Sequence, residues 1–139
     1  MRHLKHPRAL PLLAALALTL PLGLTLHPRD AQACEDESRL CVDTANAKWE
    51  PDKTMSQSAL KRERKKNKSK PTSNLHLTIE GGRASVFLDG RYVDTAPLKS
   101  YEIEAGKHDI QVRDGDIILA EGVLRIPSKT DVRITVVHP

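Results

Sequence analysis

Residues 84–93 read Ala84-Ser85-Val86-Phe87-Leu88-Asp89-Gly90-Arg91-Tyr92-Val93. Val86 and Leu88 alternate with Ser85, Phe87 and Asp89, so an extended chain here has one apolar side and one mixed side. Asp89-Gly90 then supplies two residues that tolerate positive φ, as a two-residue hairpin turn requires. The chain goes out as one strand and returns as another over Arg91 to Asp94. This stretch decides the fold class because the same period of two continues on both sides of it.

Upstream, Leu75, Leu77 and Ile79 alternate with His76, Thr78 and Glu80 before Gly81-Gly82-Arg83 breaks the run. Downstream, Thr95-Ala96-Pro97 makes a corner, Tyr101 and Ile103 alternate with Glu102 and Glu104, and Ala105-Gly106-Lys107 turns the chain. Ile110 and Val112 alternate with Asp109, Gln111 and Arg113, and Asp114-Gly115 reads as a second Asp-Gly turn. Residues 117–126 form a longer strand bent at Gly122, and Val132, Ile134 and Val136 close the series after the polar loop Pro127–Asp131. About seven short strands at this turn spacing predict an all-β fold, a small antiparallel β-sandwich or partly open barrel. The expected core takes the apolar partner of each alternation, with Tyr101, Ile117 and Leu119 among them.

The chain has 139 residues, 39% of them hydrophobic, enough for one ordinary domain plus extensions and not for a multi-domain enzyme. Its two cysteines exclude a disulfide-dense scaffold and a Cys-based zinc finger. The formal net charge of +4 is unevenly spread. Residues 61–70 carry seven basic side chains against Glu63, whereas residues 71–139 carry eight basic and ten acidic. A mildly acidic β region argues against a nucleic-acid-binding face on it, and no nucleic-acid partner is expected.

Residues 1–33 read as a signal peptide. Arg2, Lys5 and Arg8 precede the uncharged apolar run 9–26, and Ala31-Gln32-Ala33 places small residues at the −3 and −1 positions of a cleavage site. Cleavage leaves Cys34 first and the protein periplasmic or secreted in a bacterium. Retention of residues 1–33 as an anchor is one alternative, since the apolar run has the minimum length for spanning. A lipidated Cys34 is another, although Ala31 and Gln32 depart from the lipobox pattern. Cys34 and Cys41 are the candidate disulfide, closing a small acidic loop that stabilises little.

Residues 34–74 show no sustained apolar period and read as a disordered charged linker. A helix near Thr54 would carry only Met55, Ala59 and Leu60 on its apolar face, too little burial to hold it in isolation. Lys61, Arg62, Arg64, Lys65, Lys66, Lys68 and Lys70 are candidate polyanion contacts, for anionic lipid or lipopolysaccharide, at about 1 kcal/mol per cation near an anionic surface. The alternative is a solvated spacer kept extended by like charge. The boundary to the β domain, residues 75–139, is placed at Leu75, where the period becomes two.

The run Ala84 to Val93, then Pro97-Leu98, then Glu104-Ala105-Gly106-Lys107-His108-Asp109-Ile110-Gln111-Val112, resembles a PEGA domain. The resemblance covers about residues 78–138. It lacks the naming tetrapeptide, whose place Gly81-Gly82-Arg83-Ala84 takes, and has Asp94 and Ala96 at two positions where the family usually has Gly and Thr. It implies an all-β, non-catalytic module of extracytoplasmic proteins, with an envelope component or protein as partner and no catalytic residue to carry over.

The residues taken by themselves agree. His76, His108 and His138 lack zinc-ligand spacing, Ser85 and Ser100 lack a nucleophile-elbow setting, and Gly81-Gly82 is too short to cradle phosphate. Asp-Gly turns are common without metal. No catalytic, cofactor or metal residue is therefore assigned. His108 is expected to pack or hydrogen-bond at the start of its strand. Phe87, Arg91 and Tyr92, around the Asp89-Gly90 hairpin, are the candidate partner contacts on the β region.

Overall fold

The seven period-two runs from Leu75 onward all become strands, and three further elements precede them. A computed structural model describes residues 39–138. The expected signal peptide, its cleavage site and Cys34 lie outside the described residues. In chain order the elements are β1 (Leu40–Val42), β2 (Lys48–Pro51), α1 (Gln57–Asn67), β3 (Thr72–Glu80), β4 (Ser85–Leu88), β5 (Arg91–Thr95), β6 (Leu98–Glu104), β7 (Gly106–Asp114), β8 (Ile117–Ile126) and β9 (Asp131–Val137).

The strands form two sheets. The first runs β1-β9-β3-β6 and the second β2-β8-β7-β4-β5, and neither closes into a barrel. Their apolar faces share one hydrophobic cluster, with Leu75, Leu77, Val132, Ile134 and Val136 from the first and Val86, Ile110, Val112 and Leu124 from the second. Each of these side chains is at most 1% exposed. At about 1.5–3 kcal/mol for each fully buried aliphatic side chain, this shared layer is the main source of stability.

The hairpin that anchored the sequence reading forms as expected. Leu88 pairs with Arg91, and both turn residues are left-handed, Asp89 at φ 51° and Gly90 at φ 75°. The second turn differs by one residue. Asp114 pairs with Ile117, so the central pair is Gly115-Asp116, with Gly115 at φ 58°. Asp114 stays in its strand because a glycine at the first central position already provides the reversal.

Four expectations need correction. First, residues 39–74 are part of the fold. Leu40 on β1 is buried in the main core, Val42, Ala47 and Trp49 pack against it, and β3 begins at Thr72, before Leu75. The run 61–70 is largely helical. Ser56 caps α1, its Oγ accepting from Ala59 N–H at 3.3 Å, and Arg64, Lys65 and Lys66 occupy the last turn, where cations favour the carbonyl end of the helix dipole. Burial on the helix itself is as slight as its sequence suggests. Polar contacts to the second sheet hold it, and no periodicity encodes those.

Second, the strands are not all antiparallel. β9 inserts between β1 and β3 and runs parallel to β3, Leu75 opposite Val132 and Leu77 opposite Ile134. Alternation records which side chains face inward and carries no strand direction. Third, Ile117 and Tyr101 are exposed by 59% and 39%. Ile117 stands opposite Asp114 beside the β7–β8 turn, and Tyr101 stands opposite Leu75 on the edge strand β6, so both sit at the margin of the core. Fourth, Gly122 sits in regular register and is not a bend. An added Cβ there would lie 2.5 Å from the Glu50 carbonyl oxygen and 2.6 Å from the Trp49 ring, so glycine is what lets β2 and Trp49 approach.

Candidate functional site

The outward side chains of the second sheet fall into rows that the register defines. Lys48, Arg125 and Lys107 stand directly opposite one another across β2, β8 and β7. The next row is Glu50, Val123 and Asp109, and the next runs Glu121, Gln111, Phe87 and Tyr92 across β8, β7, β4 and β5. Gln111 Nε2 donates to Glu121 Oε2 at 3.0 Å.

Helix α1 packs against β7 on this outer face. Met55 N–H, just before the helix, donates to Asp109 Oδ2 at 2.9 Å, and Asn67 Nδ2 at the far end donates to the Lys107 carbonyl at 3.1 Å. Leu60 and the outward-facing Val123 are both buried, yet neither joins the main core. Besides Ala59, the buried and half-buried helix positions are Leu60, Glu63, Arg64 and Asn67, at i, i+3, i+4, i+7 spacing, and Lys61, Arg62, Lys65 and Lys66 are turned to solvent.

Three carboxylates record the local fields. Burial pushes the Asp109 carboxyl up, with the Met55 N–H hydrogen bond working against it and the neighbouring Asp89 and Glu121 charges adding to the rise. The Lys53 ammonium, hydrogen-bonded at 2.7 Å, holds Glu50 below the usual carboxylate range. Lys66 does the same for Glu63 from 3.1 Å.

At the hairpin end of the face lies a buried polar cluster. His108 is 3% exposed. Its Nδ1 lies 2.9 Å from Asp89 Oδ2 and its Nε2 lies 2.7 Å from the Glu104 carbonyl oxygen. A carboxylate and a backbone carbonyl thus face the two ring nitrogens. Asp89 Oδ1 accepts from Asp109 N–H at 3.0 Å, and the Asp89 carbonyl accepts from Arg64 Nη2 at 3.2 Å. One aspartate thus turns the hairpin, orients the histidine and receives the helix. Since Nε2 is held by a backbone carbonyl, the pair is arranged to organise the loop.

The residues singled out from sequence separate into groups. Lys61, Arg62, Lys65, Lys66, Lys68 and Lys70 are exposed, whereas Arg64 is half-buried and bonded to Asp89. Phe87 and Tyr92 meet edge to face with ring centroids 5.7 Å apart, and Arg91 beside them is exposed. Cys41 lies on β1 and is not a free thiol, while its candidate partner Cys34 is outside the described residues. Sequence reasoning missed Arg113, whose guanidinium lies 5.1 Å from the Phe87 ring centroid, and the row Lys48–Arg125–Lys107. The outward side of both residues was legible in the alternation, but the pairing of β4 with β7 was not, because β5 and β6 lie between them in the chain. The row needed the position of β2. Among the described residues no group of three His, Cys, Asp or Glu side chains is placed to hold a metal, and no helix is long and apolar enough to cross a membrane.

Compared with family models, curated proteins and solved structures, the chain finds no match in any of the three.

Proposed function

We propose that the protein is a non-catalytic binding or structural module of the bacterial cell envelope, periplasmic or secreted, with a β region similar to a PEGA domain. The contact between Asp89 and His108 carries this reading. The Asp-Gly hairpin and the Gly-His turn are two elements of the resemblance, and here Asp89 and His108 stand 2.9 Å apart. The histidine is committed at both ring nitrogens, which favours a folding role over acid–base work. Cell fractionation with intact-mass analysis tests the assignment. The expected product starts at Cys34 without lipid, in the periplasmic or extracellular fraction. A cytoplasmic chain that retains residues 1–33 would overturn it.

A second reading, contact with an envelope polyanion through residues 61–70, is favoured by the solvent-facing cations of α1. Co-sedimentation with anionic vesicles or lipopolysaccharide at low and high ionic strength tests it. Changing Lys61, Arg62, Lys65, Lys66, Lys68 and Lys70 to Gln should abolish low-salt binding and leave the melting temperature nearly unchanged, because exposed charges contribute little to a fold. Arg64 is left in place, since its bond to Asp89 belongs to the fold.

A further inference from the structure

We propose that the polyanion site is composite: the row Lys48–Arg125–Lys107 on the second sheet joins Lys66 and Lys70 at the end of α1 to take an extended, phosphate-bearing chain. This rests on the polyanion reading above. Like charges placed directly opposite one another destabilise a sheet, and here three strands in succession do so. Among the described residues none of the three cations has a carboxylate within ion-pair distance. The neighbouring acids are already engaged: Glu50 by Lys53, Glu63 by Lys66, and Asp109, in the row beside Lys107, by the Met55 N–H. The fields of Lys107 and Arg125 both reach Glu50, and those of Lys107 and Lys70 both reach Glu63, so Lys107 links the sheet row to the helix. Asn67 holds that junction, donating to the Lys107 carbonyl and accepting from Lys70 Nζ at 3.1 Å.

Shape selects the ligand. The row places cations at intervals of about 5 Å, the strand spacing. The helix standing on the same face rises above the sheet by about 10 Å, its own diameter. A flat bilayer resting on the outward face of α1 stays that far from the row, about one Debye length at 0.1 M salt, where attraction is mostly screened. A flexible polyanion can lie in the angle between helix and sheet and meet both sets of cations.

The test is titration of the purified protein at low salt with linear inorganic polyphosphate and, separately, with anionic phospholipid vesicles. One variant carries Lys48→Gln, Lys107→Gln and Arg125→Gln, and a second carries Lys61→Gln, Arg62→Gln and Lys65→Gln. Circular dichroism and melting temperature establish that both fold. At about fivefold per cation, the sheet variant should lose on the order of a hundredfold in polyphosphate affinity and only a few-fold in vesicle binding. Undiminished polyphosphate binding by the sheet variant would overturn the composite site and leave the polyanion reading standing. So would equal losses for both ligands, or wild-type binding to vesicles alone, which would make a bilayer the occupant. If the wild type binds neither, the polyanion reading itself falls and the composite site with it.

Discussion

The Asp89 carboxylate and the His108 imidazole stand 2.9 Å apart, Oδ2 to Nδ1, and join the β4–β5 turn to β7. The same aspartate accepts from the Asp109 N–H, so turn geometry and side-chain bonding are fixed by one residue. Asp89→Asn tests the two roles separately, because asparagine also tolerates positive φ and keeps the turn. Loss of the charged acceptor should cost about 1–3 kcal/mol, read as a shift of the denaturant midpoint. His108→Ala adds a cavity to lost hydrogen bonds and should cost about 2–4 kcal/mol. A midpoint unchanged in both variants would show that the contact contributes nothing to the fold.

Asp109 makes stability depend on pH in a defined direction. Burial raises its carboxyl in the folded protein, so the folded state binds a proton there more tightly than the unfolded state does. Stability from this group is therefore full below the ordinary carboxylate range, declines as pH rises through the raised value, and stays lower above it. Asp109→Asn retains an oxygen for the Met55 N–H and removes the charge. The variant should be more stable than the wild type at neutral pH, with the difference vanishing in strong acid. Thermal melts across the acid range measure this, and a variant less stable at neutral pH would contradict it.

The Glu50 carbonyl and the Trp49 ring of β2 lie against Gly122 of β8. Gly122→Ala puts a methyl group against the Glu50 carbonyl and the indole ring, and overpacking of this kind costs about 1–3 kcal/mol. Trp49 is the single tryptophan, so its emission reports the displacement directly. An alanine variant with native emission and native stability would show that β2 moves away without cost.

A fragment of residues 75–139 should not unfold cooperatively. It removes Leu40 from the main core, strips β1 from β9 and β2 from β8, and takes α1 off the outer face of the second sheet. Strand edges left bare in this way favour association. Calorimetry and light scattering of the fragment beside the chain from Cys34 onward check the outcome. A soluble fragment with a sharp transition would return residues 39–74 to the role of a linker.

What the sequence determined by itself is local. Val86, Leu88, Ile110, Val112, Val132, Ile134 and Val136 declare their side by alternating with polar neighbours, and Asp89-Gly90 declares its turn, because side-chain period and positive φ belong to a few adjacent residues. That was enough for the all-β class and all seven C-terminal strands. Tertiary structure decided what depends on distant partners: the parallel pairing of β3 with β9, the placing of Ile117 beside a turn and of Tyr101 on an edge strand, and the inclusion of β1, β2 and α1. Helix α1 shows the reason most clearly. Alone it has one buried leucine and a surplus of like charge. In place, the Asp109 carboxylate and the Asp89 and Lys107 carbonyls, 25 to 54 residues away, accept its hydrogen bonds. The cationic row likewise exists only after three separate strands are brought into register.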